Sequence, residues 1–292
     1  MNADSAAKTY QVGDATITRV TETLLTGLAP SFLYADWDAR VLDEHLQLRA
    51  NLDPGAEHAI LSIHTWVMDW RGQTILIDTG IGNGKDRPFG PMFHQLNTPF
   101  LQRLERAGVK PEDVDHVLLT HLHADHVGWN TRLVARQWVP TFNNAKYVMP
   151  QGELDFFATP ASANRRVVYD DSVAPVIAAQ QAVVIGINGG DYLDGFYFHP
   201  TPGHSAGHMS IAFVSQGEMA LFCGDVVHSP AQIYRPEWNS VFCAQQEQAR
   251  VSRRWFLDFA AAQQATVFTA HFPQTSAGRV LRKHYEFEWH YL

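Results

Sequence analysis

Hydrophobic positions along the chain follow two alternating periods. Over residues 10–20, Val12, Ala15, Ile17 and Val20 alternate with polar neighbours, which predicts a strand or hairpin. Two β-rich runs at 59–69 and 73–78 flank Arg71-Gly72, a natural hairpin turn. Helical spacing takes over at 97–108, where Phe100, Leu101, Leu104 and Ala107 share a face and Gly108 is suited to end the helix. The apolar run Val114–Thr120 has the pattern of a buried strand. Strands are also predicted at 195–201, 209–215 and 218–224, then a long helix at 245–262 and a last strand at 266–270. Residues 28–56 fit neither period and read as an irregular excursion from a regular scaffold. Alternation of strands with helices predicts the α/β class with covered sheets. No linker or low-complexity stretch divides the chain, so a single domain over 1–292 is expected.

Composition narrows the function. Hydrophobic residues make up 46% and charged residues 18%, a globular balance. A formal net charge of −8 provides no general field for a polyphosphate backbone, which argues against a nucleic-acid enzyme. Cys223 and Cys243 are the two cysteines, too few for a disulfide framework. Met1–Ser5 has neither a basic start nor an apolar stretch, and no apolar run reaches bilayer length, so a cytoplasmic protein without membrane contact is expected.

The 15 histidines matter because some of them cluster. The strand at 114–120 runs into His121-Leu122-His123-Ala124-Asp125-His126, four possible metal ligands within six residues. In extended chain His121 and His123 point the same way. Adjacent Asp125 and His126 serve a second point if the chain bends. A catalytic metal needs about four ligands with one position open or shared. The missing ones have matching strand-end contexts in Thr201-Pro202-Gly203-His204, Cys223-Gly224-Asp225 and Thr269-Ala270-His271. Glycine beside His204 and Asp225 is expected to let the backbone approach the site. His45, His58, His64, His94, His116, His199, His208, His284 and His290 lack such company and read mostly as ordinary residues.

The run THLHADHVG resembles the HxHxDH signature of the metallo-β-lactamase superfamily. Leu76-Ile77-Asp78-Thr79-Gly80 is similar to its earlier Asp-Thr-Gly turn, and Thr201–His208 to the segment carrying its next histidine. The resemblance spans about residues 59–275 and implies a four-layer αβ/βα sandwich. It implies two divalent cations per chain, most simply Zn²⁺. His121, His123 and His204 would bind one, Asp125, His126 and His271 the other, and Asp225 would bridge them. Asp78 would orient a ligand. Asp125, Asp225 and His228 are the catalytic candidates, with Asp125 or His228 supplying a proton to the leaving group.

Exclusions then point to a branch. The bridging position holds Asp225 and not cysteine, unlike the main antibiotic-hydrolysing zinc lactamases. The HxExDH form of di-iron redox relatives is absent. Only 21 residues follow His271, too few for the helical domain expected of a glutathione thioesterase. The nuclease branch's insertion is missing. The segments Cys223–Pro230 and Ala270–Pro273 resemble lactonases and methyl-parathion-hydrolase-type proteins. The expected function is hydrolysis of a lactone or of an aryl or carboxylic ester. Phosphotriester hydrolysis and dioxygenase chemistry are the alternatives. Trp37, Trp66, Phe89, Phe93, Trp129, Tyr234 and Trp238 are expected near the mouth of an apolar pocket for a small-molecule substrate. Phe32, Leu33, Tyr34, Trp37, Val41 and Leu46 are expected to be exposed on the excursion and to join a homodimer contact.

Overall fold

The computed structural model describes residues 8–292; the expected absence of a leader at Met1–Ser5 concerns residues outside that range. The described chain divides into two compact units. The early unit takes 8–23 and 63–190, and the late unit takes 24–62 and 191–292.

The early unit is built on a seven-stranded sheet, two of whose strands extend past its boundaries. In spatial order the strands are Thr9–Val12, Ala15–Leu28, Ala59–Trp70, Gln73–Ile77, His116–Leu118, Lys146–Pro150 and Ala182–Ile185. The first hairpin and the hairpin turning at Arg71-Gly72 are antiparallel, as the alternation predicted. Both turn residues have positive φ, 51° and 73°, the primed geometry that suits a tight hairpin. From Gln73–Ile77 onward the strands run parallel. Their connections carry the helices Phe100–Arg106, Gln151–Phe157, Arg166–Ser172 and Ala174–Ala178. Phe100, Leu104, Val117, Leu119, Tyr147, Met149, Phe157 and Val176 form one buried cluster between strands and helices. The predicted helix at 97–108 is shorter, Phe100–Arg106, and Gly108 at φ +90° ends it as expected.

The late unit carries the second seven-stranded sheet, in sequence order from Gly190–Tyr192 to Glu286–Tyr291. The predicted long helix is Gln246–Ala262, whose Phe256, Leu257 and Ala260 pack into a core with Leu221, Val267 and Phe287. The expected last strand, Thr266–Phe268, is followed by an antiparallel pair, Ala277–Lys283 and Glu286–Tyr291. Both units are thus strand–helix structures of the α/β class. The excursion at 28–56 holds three short helical turns, Pro30–Leu33, Val41–Glu44 and Leu46–Asn51. Its expected apolar display is corrected: Leu33, Tyr34 and Val41 are at most 1% exposed within this chain, while Phe32 and Leu46 remain exposed. Tyr34 donates to Ser229 Oγ at 2.8 Å, which gives its hydroxyl a buried partner. No described helix is long and apolar enough to cross a membrane.

One buried charge cluster in the early unit has a measurable consequence. Lys85 Nζ donates to Thr131 Oγ1 at 2.6 Å and to the Asp171 carbonyl at 3.1 Å, and lies 3.6 Å from the centroid of the Trp138 ring. Arg87 grips the Asp171 carboxylate with two hydrogen bonds, at 2.6 and 2.9 Å. Burial pushes the Lys85 ammonium down to about 7, against a usual value of 10.5. Below about pH 7 both folded and unfolded chains hold the proton, and the fold bears the whole penalty. Between about 7 and 10.5 the unfolded chain keeps a proton that the folded one has released, so this group makes stability rise with pH. Urea unfolding from pH 7 to 10 is expected to show a shallower rise for Lys85→Met than for the parent; equal slopes would refute the assignment.

Candidate metal centre

Strand register explains how distant segments meet. In the early unit Gln73–Ile77 and His116–Leu118 are parallel neighbours with Ile77 opposite Leu118. Their carboxyl ends therefore deliver Asp78 and His121 side by side. Asp78 Oδ1 accepts from the Thr120 N–H at 2.8 Å, and Oδ2 accepts from Thr120 Oγ1 and His126 Nδ1, both at 2.8 Å. A carboxylate only accepts, so His126 carries its proton on Nδ1 and keeps a lone pair on Nε2. The Thr120 hydroxyl spends its one proton on Asp78. His121 Nδ1, 3.0 Å from that oxygen, must then be the donor, which leaves a lone pair on His121 Nε2 as well.

The expected bend is present. The His126 N–H donates to the His123 carbonyl at 3.1 Å, closing a turn across Ala124 and Asp125. The rings of His121 and His123 are 4.5 Å apart, and those of His121 and His126 are 4.1 Å apart. Asp125 Oδ2 lies 3.8 Å from His126 Nε2. Three imidazoles are thus crowded together, two of them buried. His121 and His126 present Nε2 lone pairs, the donor chemistry of zinc and similar divalent ions.

The late unit repeats the logic. Glu218–Phe222 and Thr266–Phe268 are parallel with Phe222 opposite Phe268, so Asp225 and His271 leave the same end of the sheet. Phe196–Pro200 and Met209–Ser215 are antiparallel with Pro200 opposite Met209, which brings the His204 loop to that end too. Asp225 is 3% exposed, and three imidazoles converge on its carboxylate. Its oxygens lie 3.0 Å from His271 Nε2, 3.2 Å from His204 Nε2 and 3.4 Å from His228 Nε2. His271 Nδ1 faces the Ser62 carbonyl at 3.0 Å, so it donates there and turns its Nε2 lone pair toward Asp225. The ligand atoms of His204, Asp225 and His228 lie within 4.8 Å of one another, close enough to share one ion.

The seven sequence-derived ligands thus form two donor sets. His121, His123, Asp125 and His126 belong to the early unit; His204, Asp225 and His271 belong to the late one, joined by His228. Asp78 fixes the ring of His126, one of the candidate ligands, through a 2.8 Å hydrogen bond.

Some expectations change. Gly203 has φ +129°, and a Cβ there would sit 2.2 Å from the Ala249 nitrogen. It is glycine because of the helix Gln246–Ala262, not to admit backbone to the site. Trp66 and Trp129 are 3% and 4% exposed; Trp129 stacks on Phe100 in the early core, so neither lines a pocket mouth. Trp37 and Trp238 pack on each other and on Tyr34. Both cysteines are buried thiols that form no disulfide.

Three residues escaped the sequence reading. His208 accepts the Asp225 N–H on Nε2 at 2.9 Å and meets Thr201 Oγ1 through Nδ1 at 2.9 Å, so it holds the carboxylate's own backbone. Glu153, 2% exposed, accepts the Leu122 N–H at 3.0 Å and pins the middle of the HxHxDH loop. Arg165 Nη1 donates to His123 Nε2 at 2.7 Å. Only the sequence position of His208, seven residues from Thr201 within THLHADHVG's partner segment Thr201–His208, offered any hint.

Comparisons with known proteins identify the family. Residues 60–271 match the metallo-beta-lactamase superfamily. A hydroxyacylglutathione hydrolase of Serratia proteamaculans (strain 568) is 30% identical over 167 residues, which are 57% of this chain and 47% of that protein. An N-acyl homoserine lactonase of Bacillus thuringiensis is 25% identical over 187 residues, 59% of this chain and 66% of the lactonase. The matched part is therefore less than two thirds of either relative. Among solved structures, the hydrolase AbOPH of the beta-lactamase superfamily superposes with TM-score 0.82 at 26% identity, covering 98% of this chain and 97% of that one. AidC, a dizinc quorum-quenching lactonase solved with its product, gives TM-score 0.81 at 22% identity, covering 100% of this chain and 99% of AidC.

Proposed function

The chain belongs to the metallo-beta-lactamase superfamily, and on that premise we propose that it is a dinuclear metal-dependent hydrolase of lactones or of aryl and carboxylic esters. The observation that carries the reading is the buried Asp225 carboxylate with three histidine Nε2 atoms at 3.0–3.4 Å. By the family resemblance, His121, His123 and His204 would hold one ion and Asp125, His126 and His271 the other, with Asp225 as the shared ligand. Imidazole and carboxylate donors suit Zn²⁺, and AidC, of like fold, is a dizinc lactonase. The named lactonase relatives favour a cyclic ester among the possible substrates.

When bound, such ions lower the pKa of a water and polarise a carbonyl oxygen. The protein's own groups do the rest. Asp78 and the Ser62 carbonyl fix the tautomers of His126 and His271, so that each presents Nε2. His228, 1% exposed, hydrogen-bonds the leaving oxygen, and Asp125 or His228 returns a proton to it. In a lactone that oxygen stays tethered to the product.

A purified, zinc-loaded protein assayed against lactones, aryl esters, phosphotriesters, penicillins, nucleic acids and glutathione thioesters tests this. Measurable turnover of a lactone or aryl ester is expected, with little of the last three. A clear preference for a penicillin, a nucleic acid or a glutathione thioester would overturn the substrate class while leaving the fold untouched.

A further inference from the structure

Glu22 lies on the strand Ala15–Leu28, far in sequence from any ligand, and is 1% exposed. Its carboxylate has four donors. Oε2 accepts the Ile81 N–H at 2.6 Å; Oε1 accepts the Trp129 indole N–H at 2.8 Å, Thr98 Oγ1 at 3.1 Å and the Gly82 N–H at 3.2 Å. Two of these donors lie just past Asp78, and one lies three residues past His126. The same two segments are already laced together by backbone. Thr79 N–H donates to the His126 carbonyl, Gly128 N–H to that of Gly80, each at 2.7 Å, and Trp129 N–H to that of Thr79 at 2.9 Å.

Contact there is backbone on backbone. A Cβ on Gly128 would lie 1.7 Å from the Ile81 carbonyl oxygen, and a Cβ on Gly80 would lie 2.1 Å from Glu22 Oε2. No side chain can enter to replace the carboxylate. Because N–H and O–H groups face both oxygens, only an acceptor on both sides satisfies them. Burial favours the neutral acid and raises the carboxyl pKa, and the four donors oppose it.

We propose that Glu22 is a positioning residue that locks the Asp78–Gly82 turn onto the segment after His126 and so holds the Asp78–His126 pair in the geometry that metal binding requires. The part concerning metal rests on the functional reading above; the part concerning the Asp78–His126 hydrogen bond does not. Glu22 acts through neighbours and touches no substrate. Asp78 accepts from His126 at 2.8 Å only while the turn stays seated, and that bond sets which ring nitrogen is free.

Glu22→Gln replaces one acceptor oxygen with an NH₂ group that faces donors on either side. Trp129→Phe is a gentler second variant, removing one donor while keeping an aromatic ring stacked on Phe100. Leu104→Ala, in the core of the same unit, serves as a stability control. Two readouts on the full chain separate positioning from general loosening. In ¹H–¹⁵N spectra of the histidine rings, without added metal, the His126 Nδ1–H of the parent and of Leu104→Ala is expected to be protected from exchange. That protection should be lost in Glu22→Gln and weakened in Trp129→Phe. In a cobalt titration followed by visible absorbance, the second equivalent is expected to bind about tenfold to a hundredfold more weakly to Glu22→Gln, with Leu104→Ala close to the parent. An unchanged His126 signal in Glu22→Gln, or equal loss in Leu104→Ala at matched stability, would overturn the proposal. A parent protein that binds fewer than two cobalt ions would instead sink the dinuclear reading, and the ring spectra would still decide the role of Glu22.

Discussion

Asp225→Ala is expected to lose both metal ions and nearly all hydrolytic activity while the chain stays folded. The carboxylate is the anion on which His204, His228 and His271 converge at 3.0–3.4 Å. An alanine methyl leaves those buried imidazoles facing an apolar group, and two cations without the charge that offsets them. A fall in kcat/KM on the order of a thousandfold, about 4 kcal/mol, is expected for removal of a shared ligand. The late core is built from Leu221, Val227, Phe256, Leu257 and Val267, none of which depends on that side chain, so the unfolding transition of the metal-free protein should move little. The Asp225 N–H can still reach His208, since that bond uses only backbone. Elemental analysis together with kinetics checks the prediction. A variant that kept both ions and more than about a tenth of the parent rate, a loss under about 1.4 kcal/mol, would disprove the bridging role.

Stripping the metal has an effect of similar size by a different route. Chelator-treated protein is expected to be inactive, because a water near pH 7 is a poor nucleophile until a cation lowers its pKa. His121, His126 and His271 each commit Nδ1 to a protein oxygen, at 3.0, 2.8 and 3.0 Å. That leaves Nε2 of each as the lone-pair nitrogen, and under the proposed function such preset tautomers would reduce the cost of rebuilding the site. Zinc added back should therefore restore activity fully without refolding. Dialysis against chelator followed by assay, with and without zinc, measures this. Undiminished turnover by thoroughly stripped protein would refute it.

Much of this was readable from the amino-acid pattern, for reasons that can be stated. HxHxDH follows a short apolar strand, His116–Leu118, whose end marks where the ligand-bearing loop begins. Asp225 and His271 follow strands that the apolar runs also marked. The hairpin at Arg71-Gly72 and the helix ending near Gly108 are local events set by turn and cap chemistry. What stayed hidden depends on long-range contact. Glu22 meets Ile81 across 59 residues and Trp129 across 107. Glu153 meets Leu122 across 31. Nothing within a window around either residue distinguishes a buried acceptor from a solvated acid. Tyr34 is hidden because its partner, Ser229, is 195 residues away. The pair Ala277–Lys283 and Glu286–Tyr291 alternates Val280, Phe287 and Trp289 inward with charged residues outward. Its many Arg, Lys and Glu residues obscured a period that the structure makes plain. Trp66 and Trp129 show the reverse error: large aromatics suggest a binding wall by type, but burial is decided by neighbours such as Phe100.

The most direct test of the account is a zinc titration of stripped protein, with hydrolysis of a responsive lactone recorded against equivalents of zinc added per chain. The proposed ligand set predicts that activity climbs to a plateau at two equivalents and that elemental analysis of the plateau sample finds two zinc ions per chain. Full activity at one equivalent, or with none, would contradict it.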